Sequence, residues 1–304
     1  HTVNDMTINA FQYQGLFGSV ANTGTVKDVT VTGTITNNTA LYNRAACHGG
    51  IAGHNAGTLS GCTSYVDITG FVTGMLGKGA ATASVGGITG NNQGTVENCV
   101  NYGTVDFIGQ GVGGIIGVLN RNTRVISCAN HGNVINTRTY TGGIVGNGQN
   151  ASGAVIDKCM NDGKISSTNQ YTAGIAAYAN RVTITSCFNA GTVEGKARTG
   201  GIVGYGLSPI ENCYNNGTVT GTEASTGGIV GQTTTALDLT NVYNSGKTNG
   251  QPICSNAPKT LTLSGVYFLN TTLNESSENI VAGAEAKTSD ELKTLYTQLG
   301  DEYV

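Results

Sequence analysis

The amino-acid sequence predicts an all-β protein, a parallel β-helix of about nine coils. Three observations lead there: 47 glycines but only 3 prolines and 11% charged residues in 304 positions, a glycine–isoleucine element that recurs, and apolar residues at fixed distances after it. Internal repeats of about 20 to 50 residues are typical of solenoids, in which each repeat packs only on its neighbours.

The glycine–isoleucine element marks the start of each repeat. A variant at Gly15-Leu16 and a degenerate copy at Pro252-Ile253 bring the number of units to nine. The complete copies are Gly50-Ile51, Gly87-Ile88, Gly114-Ile115, Gly143-Ile144, Gly174-Ile175, Gly201-Ile202 and Gly228-Ile229.

Three mostly apolar positions follow each element. The second lies three residues after the first and the third six residues after the second, although successive units are 24 to 37 residues apart. Constant spacing indicates an ordered coil, and the variable remainder indicates a free connecting segment. The triplets are Val26/Val29/Ile35, Leu59/Cys62/Ile68, Val96/Cys99/Val105, Val125/Cys128/Val134, Ile156/Cys159/Ile165, Ile184/Cys187/Val193, Ile210/Cys213/Val219, Leu239/Val242/Thr248 and Leu263/Val266/Thr272.

We expect each unit to form one coil with three short strands, around Gly-Ile-Val, around the Val-x-x-Cys step and around Gly-Thr-Val. Coils stacked at ~4.8 Å would make a rod of roughly 40 Å. The predicted solenoid spans residues 1–270. Residues 271–304 form a C-terminal segment, in which Thr288-Ser289-Asp290-Glu291 resembles a capping box and predicts a short capping helix.

Two positions are predicted to form ladders along the stack. Asparagine recurs at one corner, where it tolerates left-handed backbone and its amide can hydrogen-bond from coil to coil. Cysteine recurs at a core position, and because stacked side chains point the same way we expect free buried thiols rather than disulfides. Cys47 and Cys254 are expected near opposite ends of the rod. The ladder residues are Cys62, Cys99, Cys128, Cys159, Cys187 and Cys213, and Asn101, Asn130, Asn161, Asn189, Asn215 and Asn244.

The Gly-Gly-Ile-Val-Gly segments at 142–146, 200–204 and 227–231 resemble the GLUG repeat of bacterial secreted and surface proteins, which also occurs beside immunoglobulin A-cleaving zinc metallopeptidases. The resemblance covers residues 1–270. It implies an exported, right-handed β-solenoid within a larger adhesin-like or peptidase-linked protein. Members often enter the repeats through a segment like residues 1–9, so we expect a truncated start. The His-Glu-x-x-His zinc motif is missing, so peptidase activity is not implied.

Charge and histidine spacing exclude several function classes. A net charge of −3 and a pI near 5.8 provide no basic field that would attract nucleic acid or an anionic membrane. The sequence contains no run of about 18 apolar residues, so membrane insertion is not predicted. His1, His48, His54 and His131 have no metal-binding spacing, so we predict no metal and no other cofactor.

Carboxylates are the residues with which a β-helix would act on polysaccharides. The best candidates, Glu97, Asp157 and Glu211, occupy alternate coils at ~10 Å, which is too wide for a tight acid–base pair. We therefore expect solvated acids and no catalytic residues. The alternative is a carbohydrate-active β-helix, such as a polysaccharide lyase or glycoside hydrolase, with a groove built by inserts near 70–85 and 102–112.

An outward aromatic stripe is the predicted binding surface. The residue after the cysteine-ladder position is aromatic in four successive coils, at Phe188, Tyr214, Tyr243 and Tyr267. Such a stripe binds a sugar chain or a protein by stacking and burial. Alternatively, the C-terminal helix covers the stripe or closes the end of the solenoid. Its predicted apolar face is Leu292, Leu295, Tyr296 and Leu299.

Together these features predict a non-catalytic extracellular module of a larger bacterial surface protein. We expect a rigid spacer or adhesive domain that binds glycan or protein of a host or neighbouring cell, beside other domains of its parent chain. Nucleic acid and membrane interior are not expected partners.

Overall fold

The molecule is a stack of parallel coils. The computed structural model describes residues 1–9, 12–37, 46–71, 83–255, 261–272 and 282–299, apart from the side chains at 272 and 295–299. Strands of successive coils pair in parallel and form three sheets along the stack. The predicted all-β parallel β-helix with a short C-terminal helix is confirmed.

Sheet 1 carries the triplet residues and bends twice within each coil. Its 23 strands are Thr2–Ile8, Thr25–Lys27, Thr30–Asn37, Thr58–Ser60, Thr63–Phe71, Thr95–Glu97, Val100–Asn101, Val105–Ile108, Arg124–Ile126, Ala129–Asn130, Val134–Asn136, Val155–Asp157, Met160–Asn161, Ile165–Ser167, Thr183–Thr185, Phe188–Asn189, Val193–Gly195, Ile210–Glu211, Tyr214–Asn215, Val219–Gly221, Leu237–Asn244, Leu261–Leu269 and Glu285–Lys287.

In the described part of the chain, sheets 2 and 3 each have eight strands. Those of sheet 2 are Tyr13–Gln14, Ala46–Gly49, Ala83–Gly86, Gly111–Gly113, Thr141–Gly142, Thr172–Ala173, Thr199–Gly200 and Thr226–Gly227. Those of sheet 3 are Phe17–Val20, Ala52–Asn55, Thr89–Asn92, Ile116–Leu119, Val145–Gly148, Ala176–Ala179, Val203–Gly206 and Val230–Gln232.

The glycine–isoleucine element lies in a bend rather than in a strand. In one coil Thr199–Gly200 ends sheet 2, Gly201 and Ile202 turn the chain, and Val203–Gly206 begins sheet 3. The segment predicted as one strand is therefore two short strands on either side of a corner. The isoleucine still fills the core, since Ile202 is fully buried.

The number of complete coils is about eight rather than nine. At the ninth level, among the described residues, only isolated bridges join sheets 2 and 3 to the stack, Gly227 to Gln251 and Val230 to Cys254. The degenerate Pro252-Ile253 element belongs to this level. Without the glycine, the ninth turn keeps its buried Ile253 but forms no continuous strand in either sheet.

The predicted apolar triplets form continuous buried columns. The first residues of successive triplets face one another in register, as in Val125 opposite Ile156 and Ile156 opposite Ile184. The third residues do the same, as in Val134 opposite Ile165. Among the described residues, every triplet position is buried except two at the ends of the stack, Val29 and Leu263, which are half-buried.

A left-handed residue bends each coil immediately before the cysteine. Asn98, Ser127, Lys158 and Ser186, for example, have φ values of 51 to 53°. The following thiol then points inward and donates to the carbonyl two residues earlier, as Cys187 Sγ does to Thr185 O at 3.1 Å. A small side chain with a weak donor suits this bend.

The six corner asparagines form one hydrogen-bonded ladder. Each side chain is fully buried, and each Nδ2 donates to the glycine carbonyl two residues on. Nδ2 also donates to Oδ1 of the next asparagine, at 2.7 Å between Asn130 and Asn161 and 2.8 Å between Asn161 and Asn189.

The asparagine ladder packs directly on the glycines of the glycine–isoleucine elements across the coil. A Cβ added to Gly174 would lie 2.2 Å from Asn189 Cγ, and one added to Gly143 would lie 2.5 Å from Asn161 Cγ. These separations are below any van der Waals contact. The coil is so thin at this level that an asparagine on one side requires a glycine on the other.

The C-terminal segment closes the last coil. Strand Glu285–Lys287 pairs with Leu261–Leu269, and helix Ser289–Leu299 contacts the same strand. Thr288 N donates to Glu291 Oε2 at 2.7 Å and Glu291 N to Thr288 Oγ1 at 3.3 Å, which confirms the predicted capping box. Leu292 is half-buried, whereas the side chains of Leu295, Tyr296 and Leu299 lie outside the described part.

Replacing Asn161 with alanine should destabilise the stack by about 2–4 kcal/mol. The change strips partners from Gly163 O, Asn189 Oδ1 and Asn130 Nδ2 and leaves a void. Urea unfolding followed by circular dichroism measures the loss. The matched control is Asn22→Ala at an exposed turn, which should cost less than about 0.5 kcal/mol. Equal losses at the two positions would contradict a stabilising ladder.

Candidate functional site

The predicted aromatic stripe forms a stacked column on sheet 1. Phe188, Tyr214, Tyr243 and Tyr267 are in register in successive coils, and each ring is half-buried. The ring centroids of Phe188 and Tyr214 are 4.0 Å apart, and those of Tyr214 and Tyr243 are 4.9 Å apart with planes within 7°. Lys287 Nζ lies 5.4 Å from the centre of the Tyr267 ring and covers the end of the column.

A second stacked column lies on the other side of the asparagine ladder. The Tyr65 and Tyr102 rings stack at 4.7 Å, and Tyr102 stacks on His131 at the same distance. His131 Nδ1 in turn lies 2.8 Å from Asp162 Oδ1. Both columns place aromatic faces against the next coil, so the rings present mainly their edges to a ligand.

Four tyrosines and one arginine form a different kind of cluster beside sheets 2 and 3. We call Tyr140, Tyr171, Tyr178, Tyr205 and Arg198 the tyrosine patch. Tyr140 and Tyr178 meet edge to face, with centroids 5.6 Å apart and planes at 86°. Tyr171 and Tyr205 meet in the same way at 5.9 Å and 85°. Within each column the rings of successive coils are tilted, with centroids 4.9 Å apart for Tyr140 and Tyr171 and for Tyr178 and Tyr205. The patch therefore combines tilted contacts along the columns with edge-to-face contacts between them.

Two columns of the solenoid supply the tyrosine patch. Tyr178 and Tyr205 are neighbours in register on sheet 3. Tyr140, Tyr171 and Arg198 each stand immediately before a strand of sheet 2, with φ values of 63, 65 and 51°. Bulky side chains rarely adopt this left-handed conformation, which favours glycine or asparagine.

Arg198 is held in place inside the patch by hydrogen bonds. Its guanidinium carbon lies 4.9 Å from the centre of the Tyr171 ring. Nη1 donates to Gln170 Oε1 and Nε donates to Gln232 Oε1, so the two amide side chains fix the guanidinium plane. Tyr205 Oη lies 2.6 Å from Thr234 Oγ1. The guanidinium group, two side-chain amides and hydroxyl groups therefore surround the tyrosine rings with hydrogen-bonding groups.

Burial favours the protonated form of two tyrosines in the patch. It raises the pKa of Tyr140 and of Tyr178 above the ordinary tyrosine value, with smaller contributions from neighbouring tyrosines. The hydroxyl groups of Tyr140 and Tyr178 thus remain neutral hydrogen-bond donors and acceptors at physiological pH.

The tyrosine patch was not predicted from the sequence, because only the position after the cysteine predicted an aromatic surface. The sequence pattern that could have predicted the patch is again a fixed distance from the glycine–isoleucine element. Tyr140 and Tyr171 lie three residues before the glycine of their elements, and Tyr178 and Tyr205 lie three residues after the isoleucine. The register of sheets 2 and 3 then converts these offsets into neighbouring columns.

The candidate acids occupy alternate coils, as predicted. Glu97 faces Ile126 in the next coil, Ile126 faces Asp157, and Asp157 faces Thr185. Asp157 Oδ1 accepts from Thr185 Oγ1 at 2.7 Å. Two coil spacings separate successive acids, ~10 Å.

Only part of the predicted catalytic groove lies within the described residues. Strands Val105–Ile108 and Gly111–Gly113 show that 102–112 belongs to the regular stack rather than to an insert. Within 70–85, residues 72–82 lie outside the described part.

All eight cysteines are buried and free of disulfides. Burial raises the pKa of Cys47 to about 11 and that of Cys254 to about 12, and it raises the pKa of Cys128 above the ordinary thiol value. Protonated, inaccessible thiols are poor nucleophiles and poor metal ligands. Within the described ranges no group of three or more metal-binding side chains comes together.

Comparisons with known proteins assign no family. No protein-family model matches the chain, and no curated protein matches it. One solved structure is similar, a "putative immunoglobulin A1 protease" from Bacteroides ovatus, with 17% identity, a TM-score of 0.47, and coverage of 92% of this chain and 83% of that one. A likeness at this level says nothing about the activity of the present chain. The resemblance to GLUG repeats remains a prediction.

No helix in the described part is long and apolar enough to cross a bilayer.

Thiol accessibility should change completely on unfolding. Ellman's reagent at pH 8 should find fewer than one fast-reacting thiol in the native protein, because every cysteine is buried and the core thiols are protonated. After denaturation without reductant it should find all eight. A count of six or fewer in the denatured chain would reveal disulfides and contradict the free ladder.

Proposed function

We propose that this chain is a rigid, non-catalytic module of an extracellular bacterial surface protein, and that it binds a glycan through the tyrosine patch. The edge-to-face tyrosines around Arg198 are the observation that carries the proposal. A spacer alone has no need of this cluster.

The chemistry of the patch suits a sugar ring better than it suits a protein side chain. Pyranose rings present apolar C–H faces and a rim of hydroxyl groups. Tyrosine faces pack against the C–H face, while amide, hydroxyl and guanidinium groups hydrogen-bond to the rim. In the patch, Arg198 lies against Tyr171, and Gln170 and Gln232 hold its guanidinium in place.

Backbone conformation supports a binding role as well. Tyr140, Tyr171 and Arg198 have positive φ values although none of them favours that region. Such a residue costs about 1–2 kcal/mol. Glycine or asparagine at these positions would relieve the strain, so the large side chains are kept here at a cost to the fold.

Rigidity makes the patch suitable for adhesion. Its residues stand on neighbouring coils whose register the buried asparagine ladder fixes. A preformed surface loses little conformational entropy when a ligand binds.

A double variant, Tyr178→Ala with Tyr205→Ala, should lower glycan affinity at least ~10-fold, since each lost ring removes stacking area. A glycan array with the wild-type chain identifies the ligand, and calorimetry measures the change. The matched control is Tyr65→Ala, which removes a ring that is 48% exposed and lies in the other column.

Unchanged affinity in the double variant would exclude the patch as the site. Loss of affinity in Phe188→Ala with Tyr214→Ala would assign binding to the predicted stripe instead. A reducing-sugar assay on the same samples tests the carbohydrate-active alternative, which would be supported if the wild type released reducing ends and Asp157→Asn did not.

A further inference from the structure

A polar depression opens beside the tyrosine patch and has no assigned role. It has a volume of about 340 Å³ and lies where three successive coils leave sheet 3. Its lining residues are Arg121, Asn122, Gln149, Asn150, Ser152, Asn180 and Arg181. Two cations and five neutral polar side chains make up this lining, and it contains no carboxylate.

The two arginines line the depression on either side of a loop of the middle coil. Arg121 belongs to the preceding coil and Arg181 to the following one, and residues 149–153 lie between them. Both arginines are exposed, and neither forms an ion pair with any described residue. Two unpaired guanidinium groups in a chain of net charge −3 make a local site for an anion.

The loop between the arginines is fixed. Gln149 N donates to Asn147 Oδ1 at 2.9 Å, and Asn180 Nδ2 donates to Gln149 O at 2.8 Å. Ala151, at the centre of the loop, is fully buried. The depression is therefore shaped before any ligand arrives.

The backbone at Arg181 resembles that of the patch residues. Arg181 has a φ of 54°, and the equivalent positions of the two preceding coils hold Gly153, with a φ of 79°, and Asn122, with a φ of 56°. Glycine and asparagine suit this conformation, whereas arginine does not. The arginine is therefore kept at this position at a cost to the fold.

The depression begins where the tyrosine patch ends. Asn147 and Tyr178 are neighbours in register on sheet 3, and the lining residues Gln149 and Asn180 follow them by two positions. The tyrosine patch and the depression therefore adjoin on the surface of sheet 3.

We propose that Arg121 and Arg181 bind the acidic group, a carboxylate or a sulfate, of an anionic glycan whose sugar ring lies on the tyrosine patch. This inference rests on the proposed glycan binding. Each guanidinium can hold an oxyanion through two parallel hydrogen bonds. The neutral amides and the Ser152 hydroxyl around them supply further donors.

The test compares three ligands of equal length: an oligogalacturonate, a sulfated galacto-oligosaccharide and the neutral galacto-oligosaccharide. Replacing Arg121 and Arg181 together with glutamine should weaken binding of a charged ligand ~10- to 100-fold and leave the neutral ligand unchanged. The two charged ligands distinguish carboxylate from sulfate. The matched control is Arg124→Gln, an exposed arginine outside the depression.

The depression can also be tested without any glycan. Titration with sodium sulfate, followed by nuclear magnetic resonance of the arginine Nε–H groups, should shift the signals of Arg121 and Arg181 and not that of Arg124. Equal shifts in all three would overturn the proposal.

Failure of this inference differs from failure of the proposed function. If the arginine variant binds all three ligands as the wild type does while the tyrosine variant loses them, the anion site is wrong and glycan binding stands. If the wild type binds none of the ligands, the proposed glycan binding is wrong. The sulfate titration then still shows whether Arg121 and Arg181 bind an anion.

Discussion

The contact between buried asparagines and glycines on opposite sides of six successive coils is the constraint on which the rest of the structure depends. An asparagine amide occupies the space in which a side chain on the facing glycine would begin, as Asn189 does opposite Gly174. The same amide donates within its own coil and to the next one. One side chain thus fixes the thickness of a coil, its corner and its register, which explains why the glycine–isoleucine element and the corner asparagine occur together.

Because the interior fixes register, the surface is a set of columns whose chemistry changes from coil to coil. Where aromatic residues repeat in one column, they stack face to face and stabilise the outside of the rod, as Tyr214 and Tyr243 do. Where two columns meet beside sheets 2 and 3, the tyrosines turn edge to face and enclose Arg198. We propose the second place as the binding surface, because tyrosines of two columns and Arg198 meet there.

Much of the fold could be predicted because it depends on fixed offsets. The triplet spacing indicated the buried columns of sheet 1, and the corner asparagines indicated their own ladder. The split at Gly201 and Ile202 could not be predicted, since it depends on how closely sheets 2 and 3 approach across the bend. The patch was missed for a related reason: Tyr171 and Tyr178 are seven residues apart in one coil, and only the tight bend brings their rings to 5.5 Å.

Side-chain hydrogen exchange of the six ladder asparagines tests the central claim most directly. In a stack held by these amides, their NH₂ protons should exchange at least ~100-fold more slowly than those of the exposed Asn22, because exchange requires local opening of the coil. Exchange of Asn130, Asn161 and Asn189 at the rate of Asn22 would contradict the account, since amides that reach water so easily cannot hold the coils in register.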